Sequence, residues 1–238
     1  MILLLNSVSA SITGFENPTT VYKKSALNLT DIFINSPSSM FMIESPEGHD
    51  CLGISKGDWL LVDSSRQPLI TDNVLIERFD EQYILSWGKV QSLSKMHSET
   101  WDEMTILGVI TLSIHHFRTP PNLPNHMSLN ELNFHELIVE SEHSTVICRA
   151  DGESMLPYIH HDDLILLERH IKPKENDVCI LALNNDLVCK RVQLRRRNLC
   201  SDNPYFKSYK VQDSDYLRLH GVVRYSFRLH RALLSTVS

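Results

Sequence analysis

An internal repeat runs through the 238 residues of this chain. The segment LNLTDIFINSPSSMFM (27–42) matches LNFHELIVESEHSTVI (132–147) at an offset of 105 residues, and the apolar positions coincide. At the same offset, GDWLLVD (57–63) matches DDLILLE (162–168). Because both the order and the spacing of the matches persist, the chain is predicted to hold two similar units in tandem.

Two further matches extend the repeat over almost the whole of each half. VLIERFDEQYIL (74–85) matches VCILALNNDLVC (178–189) at an offset of 104, if the first copy contains one additional residue before this segment. GVITLSIHHFR (108–118) then parallels GVVRYSFRLHR (221–231). These short apolar runs, rich in Val, Ile, Leu and aromatic residues and bounded by Asp, Asn, Gly and Pro, are typical of strands.

Each copy is therefore expected to be a small, mainly β unit with curled sheets. The segments 79–83 and 183–187 have the composition of hairpin turns. A helical pattern is persuasive only at 27–34 and at its counterpart 132–139.

The predicted organisation is an N-terminal arm (1–24), a first unit (25–118), a linker (119–126) and a second unit (127–238). The linker falls in RTPPNLPNH, which contains three prolines and no apolar period, so it is expected to be partly extended. Two similar units in one chain resemble the subunits of a symmetric dimer held together at high effective concentration. We therefore expect an intramolecular dimer with a pseudo-two-fold axis.

The composition excludes several classes of protein. Hydrophobic residues make up 42% of the chain, and its net charge of −6 argues against DNA as the main partner. The apolar run at the N-terminus has no basic region, and no segment reaches the roughly 18 apolar residues of a membrane span. Five cysteines without paired spacing indicate reduced thiols, so a cytoplasmic protein is expected. Adjacent histidines on a strand point to opposite faces, so we expect neither a metal site nor a cofactor.

The stretch DGESMLPYIHHDD (151–163) presents one serine, Ser154, in a turn of small and polar residues. A serine nucleophile needs a base, and no His/Asp pair at an obvious position supplies one. In the Ser/Lys variant of this chemistry, the base is a lysine that burial keeps neutral near neutral pH. Lys190 fits this role, because DLVCKRV places it on one strand face with Val188 and Val192, and two or three strands separate it from Ser154.

These motifs, at this spacing, resemble the LexA/UmuD family of self-cleaving Ser/Lys peptidases. GESMLP, the pair Asp162–Asp163 before LILLE, DLVCKRV and LHGVVRYSFR resemble the family's serine turn, Gly-Asp turn, lysine strand and last strand, with Asp162 replacing the usual glycine. The first half resembles UmuD-like members in GFENP (14–18) and GISKGD (53–58). The resemblance implies that Ser154 is the nucleophile and Lys190 the base. The oxyanion donors would be the backbone N–H groups of Ser154 and Met155.

The first copy departs from the family pattern where the chemistry would be. In an ungapped comparison Ser154 falls on His49, or on Gly48 if the shift is placed later, and Lys190 falls on Ser86. Cys51 lies close by, but nothing on the corresponding strand would activate its thiol. We expect the first copy to be catalytically inactive.

The resemblance also implies a substrate and partners. UmuD-like proteins cut their own N-terminal arm before the glycine of a Gly-Phe-x-x-Pro motif, which here is the Thr13–Gly14 bond in SASITGFENP. Thr13 differs from the Cys or Ala that the family commonly has at this position. The implied role is in SOS mutagenesis. An activated RecA-type recombinase filament would promote the clip, and the product would bind a UmuC-like, error-prone Y-family DNA polymerase in translesion synthesis.

Three other functions compete with this one. A non-proteolytic decoy for the polymerase or the recombinase would keep the dyad only as a remnant, and its chain would never shorten. A LexA-type repressor needs an N-terminal helix-turn-helix, and the roughly 25 residues before the first copy leave too little room for one. A signal peptidase shares the Ser/Lys chemistry but needs a membrane anchor, and none is visible in the sequence.

Overall fold

The structure is a computed structural model that describes residues 3–9, 28–96, 104–123, 127–130 and 133–231. The described residues form mainly strands, so the predicted fold class is confirmed. They divide into two compact units, which we name after one residue of each. The Ser154 unit comprises Met1–Leu27, His115–Pro120 and Ile138–Arg228, and the His49 unit comprises Asn28–Ile114, Pro121–Leu137 and Leu229–Ser238.

The Ser154 unit is built around one curled antiparallel sheet. Its strands are β1 (Leu3–Ser9), β8 (Thr145–Asp151), β9 (Leu164–Glu168), β10 (Val178–Leu183), β11 (Asp186–Gln193), β12 (Asn198–Cys200), β13 (Tyr209–Lys210) and β14 (Leu217–Leu229). Along the sheet the order is β8, β9, β14, β10, β11, β12 and β13, all antiparallel. The first strand of the chain, β1, pairs with β8 in parallel and completes this side of the unit.

The His49 unit contains the same strand pairings. Its elements are α1 (Leu29–Phe33), β2 (Met40–Glu44), a 3₁₀ turn (Asp50–Leu52), β3 (Trp59–Asp63), β4 (Asn73–Arg78), β5 (Glu81–Ser86), α2 (Trp87–Met96), β6 (Met104–His116), β7 (Met127–Ser128) and α3 (Phe134–Ile138). The order along its sheet is β7, β2, β3, β6, β4 and β5, again all antiparallel. Strands β2 to β6 therefore pair with one another as β8, β9, β10, β11 and β14 do.

The match between the units extends to the register of the ladders. The long strands β6 and β14 each have an irregularity at the same place in their ladders. The register of β3 with β6 shifts after Leu61, and the register of β9 with β14 shifts after Val223. Corresponding pairs are Trp59–Ile114 with Leu164–Phe227, Val62–Ile110 with Leu167–Val223, and Val74–Val109 with Cys179–Val222. Residue 74 thus corresponds to residue 179, so the offset of 105 continues and the predicted one-residue gain before residue 74 is wrong.

Both predicted hairpin turns are confirmed as two-residue turns. Phe79 and Asp80 connect β4 to β5 with φ angles of 52° and 61°. Asn184 and Asn185 connect β10 to β11 with φ angles of 51° and 76°. Two consecutive positive φ angles give a turn whose twist matches that of the flanking strands, and Asn adopts them at low cost. These turns fix the register of the strand that carries Lys190.

The two predicted short helices are present as α1 and α3. Asn28 caps α1 by accepting a hydrogen bond from the Thr30 N–H group (2.9 Å), and the Phe33 ring packs edge-on against Phe134 of α3 at 6.0 Å. The helix α2 was not expected from the sequence, although its buried Val90 lies three residues after Trp87, as a helical core face requires. No helix in the described part of the chain is long and apolar enough to cross a membrane.

The two units do not follow the predicted linear boundaries. The arm strand β1 belongs to the Ser154 unit because it pairs with β8, and β7 belongs to the His49 unit because it pairs with β2. In the predicted linker, residues 119–123 form neither helix nor strand, and residues 124–126 lie outside the described residues. The pseudo-two-fold arrangement of the units stays a prediction.

Gly221 occupies a crowded position on β14, opposite Ile180. A Cβ atom there would meet the fully buried Leu167 side chain and lie 3.0 Å from the Glu168 carbonyl oxygen. We expect Gly221→Ala to lower the free energy of unfolding by about 1–3 kcal/mol, measured by urea denaturation followed by circular dichroism. Gly48→Ala is the control, because the nearest atom to its new Cβ is at an ordinary 3.7 Å. Equal losses in the two variants would contradict this account.

Candidate active site

Ser154 lies in the turn that follows β8. The chain leaves the strand at Asp151, turns at Gly152 with a φ of 95°, and buries Ser154 completely. The next residue, Met155, is anchored in the hydrophobic core of the unit. The Ser154 hydroxyl has no hydrogen-bond partner within the described residues. Buried hydroxyl groups almost always have a partner, so this one is available for another interaction.

The backbone N–H groups beside this hydroxyl are also available. Within the described residues, the N–H groups of Ser154 and Met155 donate no hydrogen bond, whereas the Leu156 N–H donates to the Glu153 carbonyl oxygen (3.3 Å). Two unused N–H groups next to a nucleophile are the kind of donors that an oxyanion hole uses.

The turn is closed by hydrogen bonds between its two ends. The Ala150 N–H donates to the Asp163 carbonyl oxygen (2.8 Å), and the Asp162 N–H donates to the Ala150 carbonyl oxygen (3.0 Å). Asp162, which replaces the family glycine, has a φ of 69°, and Gly57 has a φ of 87° at the corresponding place in the His49 unit. Asp tolerates this left-handed conformation better than most residues, so the substitution keeps the shape of the turn.

Lys190 lies on β11, opposite Cys179 of β10, and its side chain is half-buried. Its Nζ atom donates a hydrogen bond to Ser201 Oγ (3.0 Å) and lies 5.9 Å from the centre of the Phe206 ring. Burial lowers the pKa of Lys190, although the nearby Cys189 and Asp202 partly oppose this shift. A depressed lysine pKa increases the fraction of neutral amine, which is the form that accepts a proton.

Ser154 and Lys190 both lie against the segment 201–203, but their side chains form no hydrogen bond with each other within the described residues. Ser201 accepts the hydrogen bond from Lys190. Two residues later, the N–H of Asn203 donates to the Ser154 carbonyl oxygen (3.1 Å), and its side-chain amide donates to the Glu153 carbonyl oxygen (2.9 Å). Residues 201–203 therefore contact the lysine and the serine turn together. Ser201 and Asn203 carry no motif, so the sequence did not identify them.

The first half lacks both dyad residues, but one counterpart differs from the sequence prediction. The predicted counterpart of Lys190 was Ser86. In the hairpins Leu85 lies opposite Val74, as Lys190 lies opposite Cys179, so Leu85 takes the lysine position. Ser86 instead lies one position further along the strand. The reason is that the offset of 105 residues holds through the hairpin.

The predicted counterparts of Ser154 are held by other contacts. The ring of His49 has its Nε2 atom 3.2 Å from the Ile84 carbonyl oxygen, and the His49 N–H donates to the Ile54 carbonyl oxygen (2.7 Å). Gly48 precedes His49 in the same loop. Cys51 is exposed in the short 3₁₀ turn that follows. This loop thus presents an imidazole held by a carbonyl group where the other unit presents Ser154.

The N-terminal arm lies along the strand that leads into the Ser154 turn. Strand β1 is parallel to β8, with Leu3 opposite Val146 and Ser9 opposite Asp151. It also lies close to β11, the strand of Lys190. The predicted cleavage site Thr13–Gly14 lies outside the described residues. Thr13 is four residues beyond Ser9, which an extended chain spans in about 13 Å.

Two of the buried cysteines have strongly raised thiol pKa values. Burial raises the pKa of Cys148 and of Cys179 to about 12, so both thiols are held protonated. All five cysteines are free. Within the described ranges, no group of three or more His, Cys, Asp or Glu residues is placed to hold a metal ion.

Comparison with known proteins supports the assignment of the second half. Residues 121–224 match the model of the Peptidase S24-like family. This S24-like region contains the serine turn, the lysine strand and the segment 201–203. The chain is also similar to Protein ImpA of Salmonella typhimurium and to Protein ImpA of Escherichia coli. Each is 28% identical over 107 residues, which cover 43% of this chain and 72% of the relative. The second half of the chain is thus similar to the Peptidase S24-like family, in the region where the sequence motifs of a Ser/Lys peptidase were recognised.

Proposed function

We propose that this protein is a self-processing serine peptidase that cuts its own N-terminal arm at Thr13–Gly14. The nucleophile is Ser154 and the general base is Lys190. The S24-like match supports the class of chemistry. These roles are supported by the buried, unpartnered Ser154 hydroxyl, by the depressed pKa of the half-buried Lys190, and by the contacts of both residues with the segment 201–203. The catalytic half thus acts on an arm that precedes the inactive half of the same chain.

The observation that carries this proposal is the position of β1. The arm is paired backbone to backbone with β8, and its end at Ser9 lies opposite the residue from which the chain enters the serine turn. Strand pairing fixes the direction and register of a peptide. The bond after Thr13 follows Ser9 by only four residues of chain, so a cut within one molecule needs no second molecule to deliver the arm.

The reaction follows the Ser/Lys pattern. The neutral amine of Lys190 takes the proton of the Ser154 hydroxyl, and Oγ attacks the Thr13 carbonyl carbon. The N–H groups of Ser154 and Met155 stabilise the resulting oxyanion. When the tetrahedral intermediate collapses, the C–N bond breaks and the proton passes from Lys190 to the amine of Gly14. A water molecule, deprotonated by the same lysine, then hydrolyses the acyl-enzyme and frees residues 1–13.

The biological role that we propose is that of a UmuD-like mutagenesis protein. A RecA-type recombinase filament promotes the clip, and the shortened protein binds a UmuC-like Y-family DNA polymerase during translesion synthesis. The family resemblance in both halves and the similarity to Protein ImpA support this role. We further propose that the two units arose by tandem duplication and pack as a pseudo-two-fold pair. The matching registers of their sheets support the duplication.

The test is the mass of the intact protein before and after incubation, at alkaline pH or with an activated recombinase filament. We expect a product that begins at Gly14 and a first-order rate that does not depend on protein concentration. A Gly14→Pro variant is the matched control, because it changes the bond and leaves the dyad untouched. Self-processing is refuted if the wild-type chain keeps its full mass under both conditions.

A second candidate is a non-proteolytic interaction or decoy protein for the polymerase or the recombinase. One observation favours it: the Lys190 amine is hydrogen-bonded to Ser201 and not to Ser154. This candidate predicts that the chain never shortens but co-purifies with a UmuC-like polymerase. Its binding would be unaffected by Ser154→Ala, whereas the peptidase proposal requires the clip before binding.

A further inference from the structure

The segment Ser201–Phe206, which we call the strap, follows β12 directly. Strands β11 and β12 are antiparallel, with Arg191 opposite Cys200. The next position along this ladder brings Ser201 beside Lys190, since neighbouring antiparallel strands place opposite side chains within contact distance. The contact between the lysine amine and Ser201 is thus set by the strand register.

Ser201 is the hydrogen-bond partner of the lysine. Within the described residues, the 3.0 Å bond to Ser201 Oγ is the one hydrogen bond that the Lys190 amine makes. A four-carbon side chain with a single polar contact takes its orientation from that contact. Without the hydrogen bond to Ser201, the Lys190 amine can adopt several orientations. Proton transfer that requires one particular orientation is then slower.

Asn203 holds the other side of the dyad. It is only 6% exposed, and the hydrogen bonds of its side chain within the described residues are made to backbone groups. Its N–H donates to the Ser154 carbonyl oxygen (3.1 Å), its side-chain amide donates to the Glu153 carbonyl oxygen (2.9 Å), and its Oδ1 accepts from the Tyr205 N–H (3.1 Å). These bonds fix the serine turn to the strap at two successive residues.

The residue between them ties the strap to the lysine strand. Asp202 accepts two hydrogen bonds from the guanidinium group of Arg191, at 2.7 and 2.8 Å. A bidentate Arg–carboxylate pair is among the most geometrically specific contacts in proteins. Three consecutive strap residues therefore hold the base, its strand and the nucleophile turn.

The His49 unit has a helix in place of the strap. There β5 ends at Ser86 and α2 begins at Trp87, so a helix directly follows the strand that corresponds to β11. Within the described residues, the unit that lacks the serine and the lysine thus also lacks a counterpart of the strap. This association indicates that the strap serves the dyad and is not a general requirement of this β unit.

We propose that Ser201 and Asn203 are positioning residues of the peptidase reaction. This inference rests on the proposed function. Ser201 directs the amine of Lys190, and Asn203 holds the turn that presents Ser154. Neither side chain exchanges a proton with the substrate.

The loss of Ser201 and the loss of Asn203 should change the pH–rate profile of the clip in different ways. The hydrogen bond to Ser201 is stronger when the lysine is charged, so it raises the lysine pKa relative to a variant without it. Ser201→Ala should therefore move the midpoint of the pH–rate profile to lower pH while it lowers the plateau rate. Asn203 makes no contact with the amine, so its loss should lower the plateau and leave the midpoint in place.

The experiment measures the clip as a function of pH in full-length variants. We expect Ser201→Ala to lower the plateau rate about tenfold and to shift the midpoint downward, and Ser201→Thr to restore both. Asn203→Ala should also lower the plateau about tenfold, with an unmoved midpoint. Ser208→Ala, an exposed serine in the same loop, is the matched control and should behave as the wild type.

A second readout separates this inference from the proposed function. The pKa of Lys190 is measured directly by competitive acetylation of amines followed by peptide mass spectrometry, which requires no cleavage. If the wild type never cleaves, the proposed function fails, while a lower lysine pKa in Ser201→Ala still supports the contact with Ser201. An unchanged lysine pKa in Ser201→Ala overturns the role of Ser201. A wild-type rate in Asn203→Ala overturns the role of Asn203.

Discussion

Replacing either Ser154 or Lys190 with alanine is expected to reduce self-cleavage by at least about a thousandfold. The serine supplies the attacking oxygen and the lysine takes its proton, so each single loss removes the whole reaction. The double variant should be no slower than either single variant, because the two residues act as one unit. Mass spectrometry of the full-length and shortened chains over time gives the rates.

Two controls separate lost chemistry from lost structure. Lys190→Arg keeps a long cationic side chain but remains charged at every accessible pH, so it should be as inactive as alanine. Lys172→Ala removes an exposed lysine of the same unit and should cleave at the wild-type rate. Cleavage by Lys190→Ala at more than a tenth of the wild-type rate would show that another group takes the serine proton.

The pH dependence of the clip follows from the same lysine. Burial lowers the pKa of Lys190 below its ordinary value, and only the neutral amine acts as a base. The rate should therefore rise as the pH increases, by about tenfold per unit well below that pKa, and level off above it. A profile that falls toward alkaline pH would exclude a lysine base.

The strand content and the hairpins were predictable because they depend on local sequence. Short apolar runs on either side of an Asn–Asn turn are enough to place β10 and β11, and the helical pattern of α1 is equally local. The helix α2 was missed for a different reason. Its apolar residues Trp87, Val90 and Leu93 recur every three residues, but the repeat suggested a strand-rich counterpart at this position.

The sequence identifies the residues of the proposed dyad, but not the residues that contact them. Ser154 and Lys190 stand in recognisable motifs, whereas Ser201 and Asn203 are a loop serine and a loop asparagine. Their positions depend on how β12 pairs with β11 and on how the chain then returns to the serine turn. Such contacts join residues far apart in sequence, and composition and periodicity carry no information about them.

The two compact units combine segments that the linear repeat keeps apart, for a related reason. A linear repeat assigns every residue to its nearest copy, but a strand pairs with whichever sheet edge is open to it. The edge of β8 is paired with β1, although well over a hundred residues separate these strands. The pairing of β1 with β8 also brings the arm to the strand that leads into the Ser154 turn. The feature of the fold that is hardest to predict from the sequence therefore bears most directly on the proposed function.

Asp163 closes the serine turn through a buried ion pair, and its removal should strongly destabilise the Ser154 unit. Its two carboxylate oxygens accept hydrogen bonds from Nε and Nη2 of Arg228, at 3.0 and 2.7 Å, with the two side chains 4% and 13% exposed. One of these oxygens also accepts from the His160 N–H (2.7 Å). The carboxylate therefore joins the end of the turn to the last strand, β14.

Asp163→Ala is expected to lower the free energy of unfolding by about 3–5 kcal/mol, because it removes the carboxylate from a buried guanidinium group. Urea denaturation followed by circular dichroism measures the loss. Hydrogen exchange should show faster opening of β8 and β9. Asp163→Asn should lose less, since its amide oxygen still accepts from the His160 N–H. Both variants should also cleave more slowly, because the turn that presents Ser154 loses its anchor.

An exposed ion pair of the same unit provides the control for this prediction. Asp213 pairs with Arg197 at 2.7 Å, but these side chains are 92% and 57% exposed. Asp213→Ala should therefore change the free energy of unfolding by less than about 1 kcal/mol, since water screens the pair. Similar losses for Asp163→Ala and Asp213→Ala would mean that burial adds nothing to the Asp163 contact. The serine turn would then be held by its backbone hydrogen bonds and by its other side-chain contacts, such as those of Asn203 and Ser226.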